Sequence, residues 1–101
     1  MGSLREALIF LANKPQALRL LREAARYKAS KGKPPYTREL LKLAANGDRG
    51  YSMQLLKELQ ALGLLRRYKD RHEESNVPVI RNEPTPLAFK ILAFFEGDED
   101  A

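Results

Sequence analysis

The most constraining feature of this sequence is a change of hydrophobic period at Gly63. Leucines before it recur at helical spacing; they are Leu55, Leu56, Leu59 and Leu62. In the segment LLRRYKDR that follows, the period becomes two, which is typical of a β-strand. Gly63 can take the left-handed conformation that ends a helix and turns the chain sharply. A helix that leads straight into a basic strand restricts the fold to helices combined with a short sheet.

The residues after Gly63 predict an antiparallel hairpin over about residues 64–83. On its first strand, Arg67, Lys69 and Arg71 share one face, while Leu64, Arg66, Tyr68 and Asp70 share the other. The segment HEESN has turn composition, and VPVIRNE is short enough for a returning strand. Pro78 restricts that strand to an edge or irregular position, because proline cannot donate a ladder hydrogen bond.

Apolar periodicity and capping residues predict five helices, over about residues 4–12, 15–29, 37–45, 50–62 and 85–96. Gly32 with the prolines after it ends the second helix, and Thr37 and Thr85 are placed as N-caps. The expected fold class is therefore mainly α with a small β-hairpin, an α+β fold. We expect one domain over residues 1–96, followed by an acidic tail at 97–101.

The order of these elements resembles the winged helix-turn-helix domain of small transcriptional regulators, with the MarR and PadR types closest in pattern. Three segments carry the resemblance: TRELLKLA before a tight turn, LLKELQALGLLRR, and NEPTPLAFKIL. Together they cover roughly residues 17–95. The resemblance implies a recognition helix at 50–62, a wing formed by the hairpin, and additional N- and C-terminal helices. Winged helices also occur in ribosomal and RNA-binding proteins, so the partner stays open.

The charge distribution favours a polyanionic partner. The chain has a net charge of +5, and its first 95 residues hold all eighteen basic but only nine of the thirteen acidic residues, a net charge of +9. A basic body is typical of proteins that bind nucleic acid. Solubility alone is the alternative explanation. The 31% charged fraction also weakly indicates a thermophilic source.

Candidate nucleic-acid-binding residues fall into three groups. The recognition helix and the turn before it contribute Arg49, Tyr51, Ser52, Gln54 and Lys57. The hairpin contributes Arg66, Arg67, Lys69, Arg71 and Arg81, and the loop before TRELL contributes Lys31 and Lys33. Gln54 suits adenine and Arg49 suits guanine or phosphate, while hydroxyls at the helix start suit phosphate oxygens. A solvated face is the alternative for each basic group, and packing or capping for Tyr51 and Ser52.

The first and last helices are apolar on nearly every side, which one small domain seldom buries completely. We therefore expect a symmetric homodimer in which these terminal helices pair between subunits. The expected interface residues are Leu4, Leu8, Leu11, Phe89, Leu92, Phe94 and Phe95. The alternative is that the first helix packs against the last within one chain.

Chemistry-bearing motifs are lacking in the sequence. It has no Cys, a single His and no glycine-rich phosphate loop, so we expect a non-enzyme without metal or cofactor. The absence of Cys and of long apolar runs favours a cytoplasmic protein that does not cross a membrane. The favoured function is double-stranded DNA binding, sequence-specific or general, by a dimeric transcriptional regulator. The alternatives are a protein–protein interaction module within a transcription, replication or ribosomal assembly, and an RNA-binding winged helix.

Overall fold

A computed structural model describes residues 4–45 and 47–100, with side chains up to residue 96. The elements in chain order are α1 (Leu4–Asn13), α2 (Pro15–Lys31), α3 (Thr37–Ala44), α4 (Arg49–Ala61), β1 (Leu65–Arg71), β2 (Pro78–Pro84) and α5 (Pro86–Asp100). The expected layout, mainly helical with a two-stranded antiparallel hairpin, is confirmed. None of the described helices is long and apolar enough to cross a membrane.

Glycines and short-range hydrogen bonds set the helix ends. Gly32 has a φ of 78° and its N–H donates to the carbonyl of Lys28 at 2.8 Å, which ends α2 two residues later than expected. α3 begins at Thr37, but its cap position is Tyr36, whose N–H donates to Oε1 of Glu39 at 3.0 Å. Thr37 is therefore not the N-cap, because the carboxylate two residues after it already satisfies the start of the helix.

α4 is closed at both ends by residues that determine the direction of the chain. Oδ1 of Asp48 accepts the N–H of Tyr51 at 2.9 Å, so the helix starts at Arg49, one residue before the expected start. At the other end Gly63 has a φ of 76°; its N–H donates to the carbonyl of Gln60 at 3.0 Å, and the N–H of Leu64 donates to the carbonyl of Leu59 at 2.9 Å. This is the paired hydrogen-bonding of a Schellman cap, and it leads the chain directly into β1.

The register of the hairpin runs from Leu65 opposite Pro84 to Arg71 opposite Pro78. Because side chains alternate along a strand, Arg67, Lys69 and Arg71 share one face with Ile80, which we call the inner face. The expected division of charges between the two faces is confirmed. The chain before α3 follows the other edge of β2, where Asn82 N–H donates to the Pro35 carbonyl at 2.9 Å and Tyr36 forms a bridge to Arg81.

The core is built around α2, which contacts α1, α3, α4, α5 and β2. Its largest fully buried side chains include Leu20, Leu21, Leu40, Leu56 and Ile91. The start of α5 is tied to the end of α4, since the Thr85 hydroxyl donates to the Gly63 carbonyl at 2.6 Å and accepts the Ala88 N–H at 3.2 Å. Thr85 is thus the N-cap that the sequence predicts.

α1 packs against α5 within the chain, as the alternative to the dimer expects. Leu11 and Leu92 are 1% and 4% exposed and belong to the chain's own core, so their assignment to a dimer interface is wrong. Leu8 and Phe95 are half-buried against the same core. Four large apolar side chains on these two helices remain exposed: Leu4, Ile9, Phe89 and Phe94.

The acidic tail expected at residues 97–101 is not separate from the last helix, because α5 continues to Asp100. A helix interior continues while it makes its backbone hydrogen bonds, and Gly97 alone does not end it. Residue 101 lies outside the described residues.

Candidate nucleic-acid interface

A groove of about 530 Å³ separates the start of α3 and one side of α4 from the inner face of the hairpin. Arg38 lines it from α3, Met53 from α4 and Arg67 from β1. Val77, Pro78, Val79 and Ile80 supply an apolar wall on the hairpin side. The groove therefore has cationic and apolar surface, together with the Glu39 carboxylate, which accepts hydrogen bonds from the Tyr27 hydroxyl and the Tyr36 N–H.

Three rows of basic side chains lie on the elements that border this groove, and Arg38 and Arg67 are the members that line it. On α3, Arg38 and Lys42 are four residues apart and thus on one face of the helix. On α4, Arg49 and Lys57 lie four residues on either side of Met53, within about 40° of it around the helix. The inner face of β1 adds three more. We call the seven the groove cations: Arg38, Lys42, Arg49, Lys57, Arg67, Lys69 and Arg71.

The groove cations share an electrostatic property. Among the described residues, none of the seven forms an ion pair with a carboxylate. The basic residues that are paired lie on the outer face of the hairpin, on its returning strand, or along α2 and the loop after it; they are Arg26, Lys28, Lys33, Arg66 and Arg81. Positive charge without local counter-ions is what attracts a polyanion to one side of a protein.

Arg67 is held more firmly than the other groove cations. Its Nε–H donates to Oδ1 of Asn82 at 2.9 Å, and its Nη2–H donates to Oγ1 of Thr37 at 3.1 Å. Burial lowers the pKa of Arg67 because the charged guanidinium is partly removed from water. Lys69 and Arg71, further along the strand, are exposed, and Nη1 of Arg71 donates to the carbonyl of Asn76 at 2.9 Å.

Arg81 was expected to bind nucleic acid, and the structure contradicts this. Only 5% of the residue is exposed, because the segment before α3 covers it. Its guanidinium donates to Oδ2 of Asp70 at 2.5 Å and to the carbonyl of Pro34 at 2.7 Å, and lies 4.4 Å from the ring of Tyr36. Arg81 therefore fixes the hairpin to the rest of the fold.

Ser52 is also misassigned. It is fully buried, where its hydroxyl accepts from Nε2 of Gln16 at 3.2 Å and donates to the carbonyl of Ala45 at 3.4 Å. Its position on α4 falls among the core leucines, one helical turn before Leu55 and Leu56. Ser52 therefore cannot reach a phosphate in this structure.

Two other basic residues expected to bind nucleic acid are exposed, but each forms an ion pair with a glutamate. Arg66 lies on the outer face of the hairpin, and its Nη2 is 2.7 Å from Oε1 of Glu83, which also pairs with Lys28. These two cations lower the pKa of the Glu83 carboxyl by hydrogen bonding to its charged form, Lys28 more than Arg66. Lys33 pairs with Glu73 at 2.6 Å beside the hairpin turn.

The other residues expected to bind nucleic acid on α4 and after α2 are exposed, but they face different sides of the molecule. Gln54 lies next to Lys57 on the outward side of α4. Tyr51 is 41% exposed but about 160° around the helix from Met53, so it is not on the groove side. Lys31 does not line the groove; it lines a polar pocket with Glu73 that adjoins the groove, since Glu39 lines both.

Arg38 and Lys42 complete the surface but were absent from the sequence-based set. Their signal is present in TRELLK, where the two basic residues are four apart on the side opposite Leu40, Leu41 and Ala44. No local pattern indicates the role of Asn82, because its contacts with Pro35, Thr37 and Arg67 join segments distant in sequence.

The described residues contain no cluster of three His, Asp or Glu side chains that could hold a metal ion. Comparison of the chain with protein-family models, curated proteins and solved structures gives no match.

Proposed function

We propose that this protein binds double-stranded DNA through the groove cations, as a winged helix-turn-helix regulator without catalytic activity. The observation that carries the proposal is the separation of charge over the hairpin and the helices beside it. The seven cations around the groove have no carboxylate partner among the described residues, whereas Arg66 and Arg81, on the other side of the same hairpin, are paired. Among the described residues, the groove side of the hairpin therefore carries positive charge without carboxylate partners, while the arginines on its other side are paired.

The arrangement of the helices supports a major-groove contact. α3 and α4 are joined by a short turn, and α4 presents Gln54 and Lys57 away from the core. In helix-turn-helix proteins the second helix enters the major groove, and a glutamine there can pair with adenine through two hydrogen bonds. Lys69 and Arg71 would then contact the backbone beside it. The segment before α3, where Tyr36 forms a bridge to Arg81, lies along the outer edge of β2 and holds the hairpin in place for this contact.

The proposal includes a homodimer, because four large apolar side chains of the terminal helices are exposed. Pairing of α1 and α5 with a second copy would remove this surface from water. A two-fold dimer would present two copies of α4 to half-sites about 34–36 Å apart, one turn of the duplex.

Fluorescence anisotropy with a labelled random-sequence duplex at several salt concentrations tests the proposal. Each phosphate contact contributes about −0.9 to the slope of log affinity against log salt. We expect a slope of about −4.5 or steeper, which corresponds to phosphate contacts from at least five of the seven groove cations. An affinity that does not change with salt would contradict the proposal.

A second candidate function is a protein–protein interaction module, which the same exposed apolar residues of α1 and α5 favour. Under this alternative the protein is monomeric alone and does not bind a duplex at physiological salt. The remaining alternative is an RNA-binding winged helix. Competition between duplex DNA and double-stranded RNA distinguishes it from a DNA-binding protein, since an RNA-binding protein would prefer the A-form duplex.

A further inference from the structure

We propose that Arg67 forms a preformed phosphodiester site at the groove, with Asn82 and Thr37 as its positioning residues. This inference rests on the proposed function and names which backbone contact is built into the fold. It concerns one guanidinium, its two neutral partners and the second cation in the groove, Arg38.

The first step concerns which donors of Arg67 are already used. A guanidinium carries five N–H donors. Nε–H is occupied by Asn82 and one Nη2–H by Thr37, so the edge formed by Nη1 and the other Nη2–H is unused. Nη1 makes no hydrogen bond to any described residue and is not among the buried unpaired atoms. Arg67 lines the groove, so this edge is accessible from it.

The second step concerns charge. Both partners of Arg67 are neutral, and no described carboxylate lies within ion-pairing distance of it. The residue is nevertheless half-buried, and desolvation acts against its charged form. A partly desolvated guanidinium with two parallel N–H donors unused can bind an anion through two oxygens at once. Phosphate fits this bidentate geometry.

The third step identifies the class of anion. Arg38 faces the same groove, and the other groove cations extend the positive surface along α3, α4 and β1. A repeating polyanion can use all three rows, whereas a single carboxylate can use one. Met53 on α4, together with Val77 and Pro78 of the apolar wall, suits the deoxyribose between successive phosphates. A backbone phosphodiester of a duplex therefore fits best.

The positioning network leaves little freedom to Asn82 and Thr37. Asn82 is fully buried, and its Nδ2 donates to the Pro35 carbonyl at 3.3 Å and to Oγ1 of Thr37 at 3.0 Å, which directs Oδ1 toward Arg67. The Thr37 hydroxyl donates to the Ile80 carbonyl at 3.3 Å and so accepts from Arg67 and Asn82. Every side-chain donor and acceptor of Asn82 and Thr37 in this network has a partner, which fixes the direction of the guanidinium.

The test compares two neighbouring arginines on opposite faces of one strand. Arg67→Gln should weaken binding of a random-sequence duplex about tenfold and reduce the salt slope by about 0.9, the share of one phosphate. Arg66→Gln removes the same charge from the outer face and should leave both quantities near wild type. Thr37→Val should weaken binding severalfold, while Thr37→Ser, which retains the hydroxyl, should not.

A measurement on the unmutated protein does not depend on whether variants fold. The Nε–H of Arg67, held by Asn82, should give a resolved ¹⁵N NMR signal that shifts when the duplex is added. If the wild type shows no salt-dependent binding, the proposed function and this inference both fail. If the wild type binds but Arg67→Gln and Arg66→Gln are indistinguishable, or the Nε signal does not move, this inference alone is overturned.

Discussion

At the residue scale, Arg67 and Arg81 show how similar side chains on one hairpin acquire different roles. Both are arginines at strand positions, so the sequence pattern predicts the same function for both. Arg81 is buried because Pro34 and Tyr36 lie along the edge of β2, a contact between segments about 45 residues apart in sequence. Local periodicity assigns a face to each residue but does not show which face the rest of the chain covers.

Removal of the Arg81 side chain should therefore destabilise the fold. Arg81→Met leaves the acceptors at Asp70 and Pro34 without their donor, and we expect the free energy of unfolding to fall by about 2–3 kcal/mol. Arg66→Met, on the exposed outer face, should change it by about 0.5 kcal/mol or less. Urea unfolding measures both. Equal effects would show that Arg81 is not part of the scaffold.

The ion pairs of the hairpin predict how stability depends on pH. Arg81 lowers the pKa of Asp70, Lys33 lowers that of Glu73, and Lys28 with Arg66 lowers that of Glu83. A carboxyl with a lowered pKa in the folded state adds stability above its unfolded value, and this is lost as pH falls through the folded value. The ordinary values are 3.8 for Asp70 and 4.5 for the two glutamates, so the melting temperature should fall mainly below about pH 4.5.

Glu83→Gln tests the cause of this pH dependence. The variant should melt lower than wild type at pH 7, and the difference should narrow as pH falls through the lowered pKa of Glu83, because the wild-type carboxyl then becomes neutral as well. Glu74→Gln is the matched control, because Glu74 is exposed and forms no ion pair with a described residue. A Glu83→Gln difference that stays constant from pH 7 down to the pH of acid unfolding would contradict the assignment.

At the element scale, the sequence predicted every helix and the hairpin, and the ends were less accurate. The positions of α2 and α4 were predictable because their signals are local: leucines at helical spacing, and Gly32 and Gly63 after the helix ends. The start of α3 at Thr37 agrees with the prediction, but its N-cap does not, because Tyr36 takes the cap position and its N–H donates to the Glu39 carboxylate. The cations on the inner face of the hairpin were predictable from the two-residue period of β1. Ser52 was wrongly assigned to the interface, because which side of α4 is buried depends on where the core lies.

Gly63 should be the critical glycine of the helix-to-strand junction. Its φ of 76° is a conformation that residues with a Cβ adopt at a cost, so Gly63→Ala should lower the free energy of unfolding by about 1–2 kcal/mol. No heavy atom lies within 4 Å of the added Cβ, so the cost is purely conformational. Gly50→Ala, inside α4 at a helical φ, should instead stabilise by about 0.5–1 kcal/mol. Chemical denaturation that shows the same sign for both would contradict this account.

At the scale of the whole molecule, the terminal helices divide between core and surface. Phe94 is 59% exposed, whereas Leu92 two residues earlier is buried. Phe94→Glu should shift a concentration-dependent dimer toward monomer in analytical ultracentrifugation and leave the melting temperature of the monomer almost unchanged. Leu92→Ala should lower the free energy of unfolding by about 2–5 kcal/mol, because it leaves a cavity in the core. A wild-type protein that is monomeric at all concentrations would contradict the dimer.

The central claim is that uncompensated charge around the groove binds the duplex, and two matched variants test it most directly. One replaces Arg38, Lys57 and Lys69 with Gln; the other replaces Arg19, Arg26 and Lys90, which lie on α2 and α5 and do not line the groove, and has the same net charge. Anisotropy titrations against salt should show a slope reduced by about 2–3 for the groove variant and by less than about 0.5 for the other. Equal reductions would mean that net charge alone attracts DNA, and the account of a defined interface would be wrong.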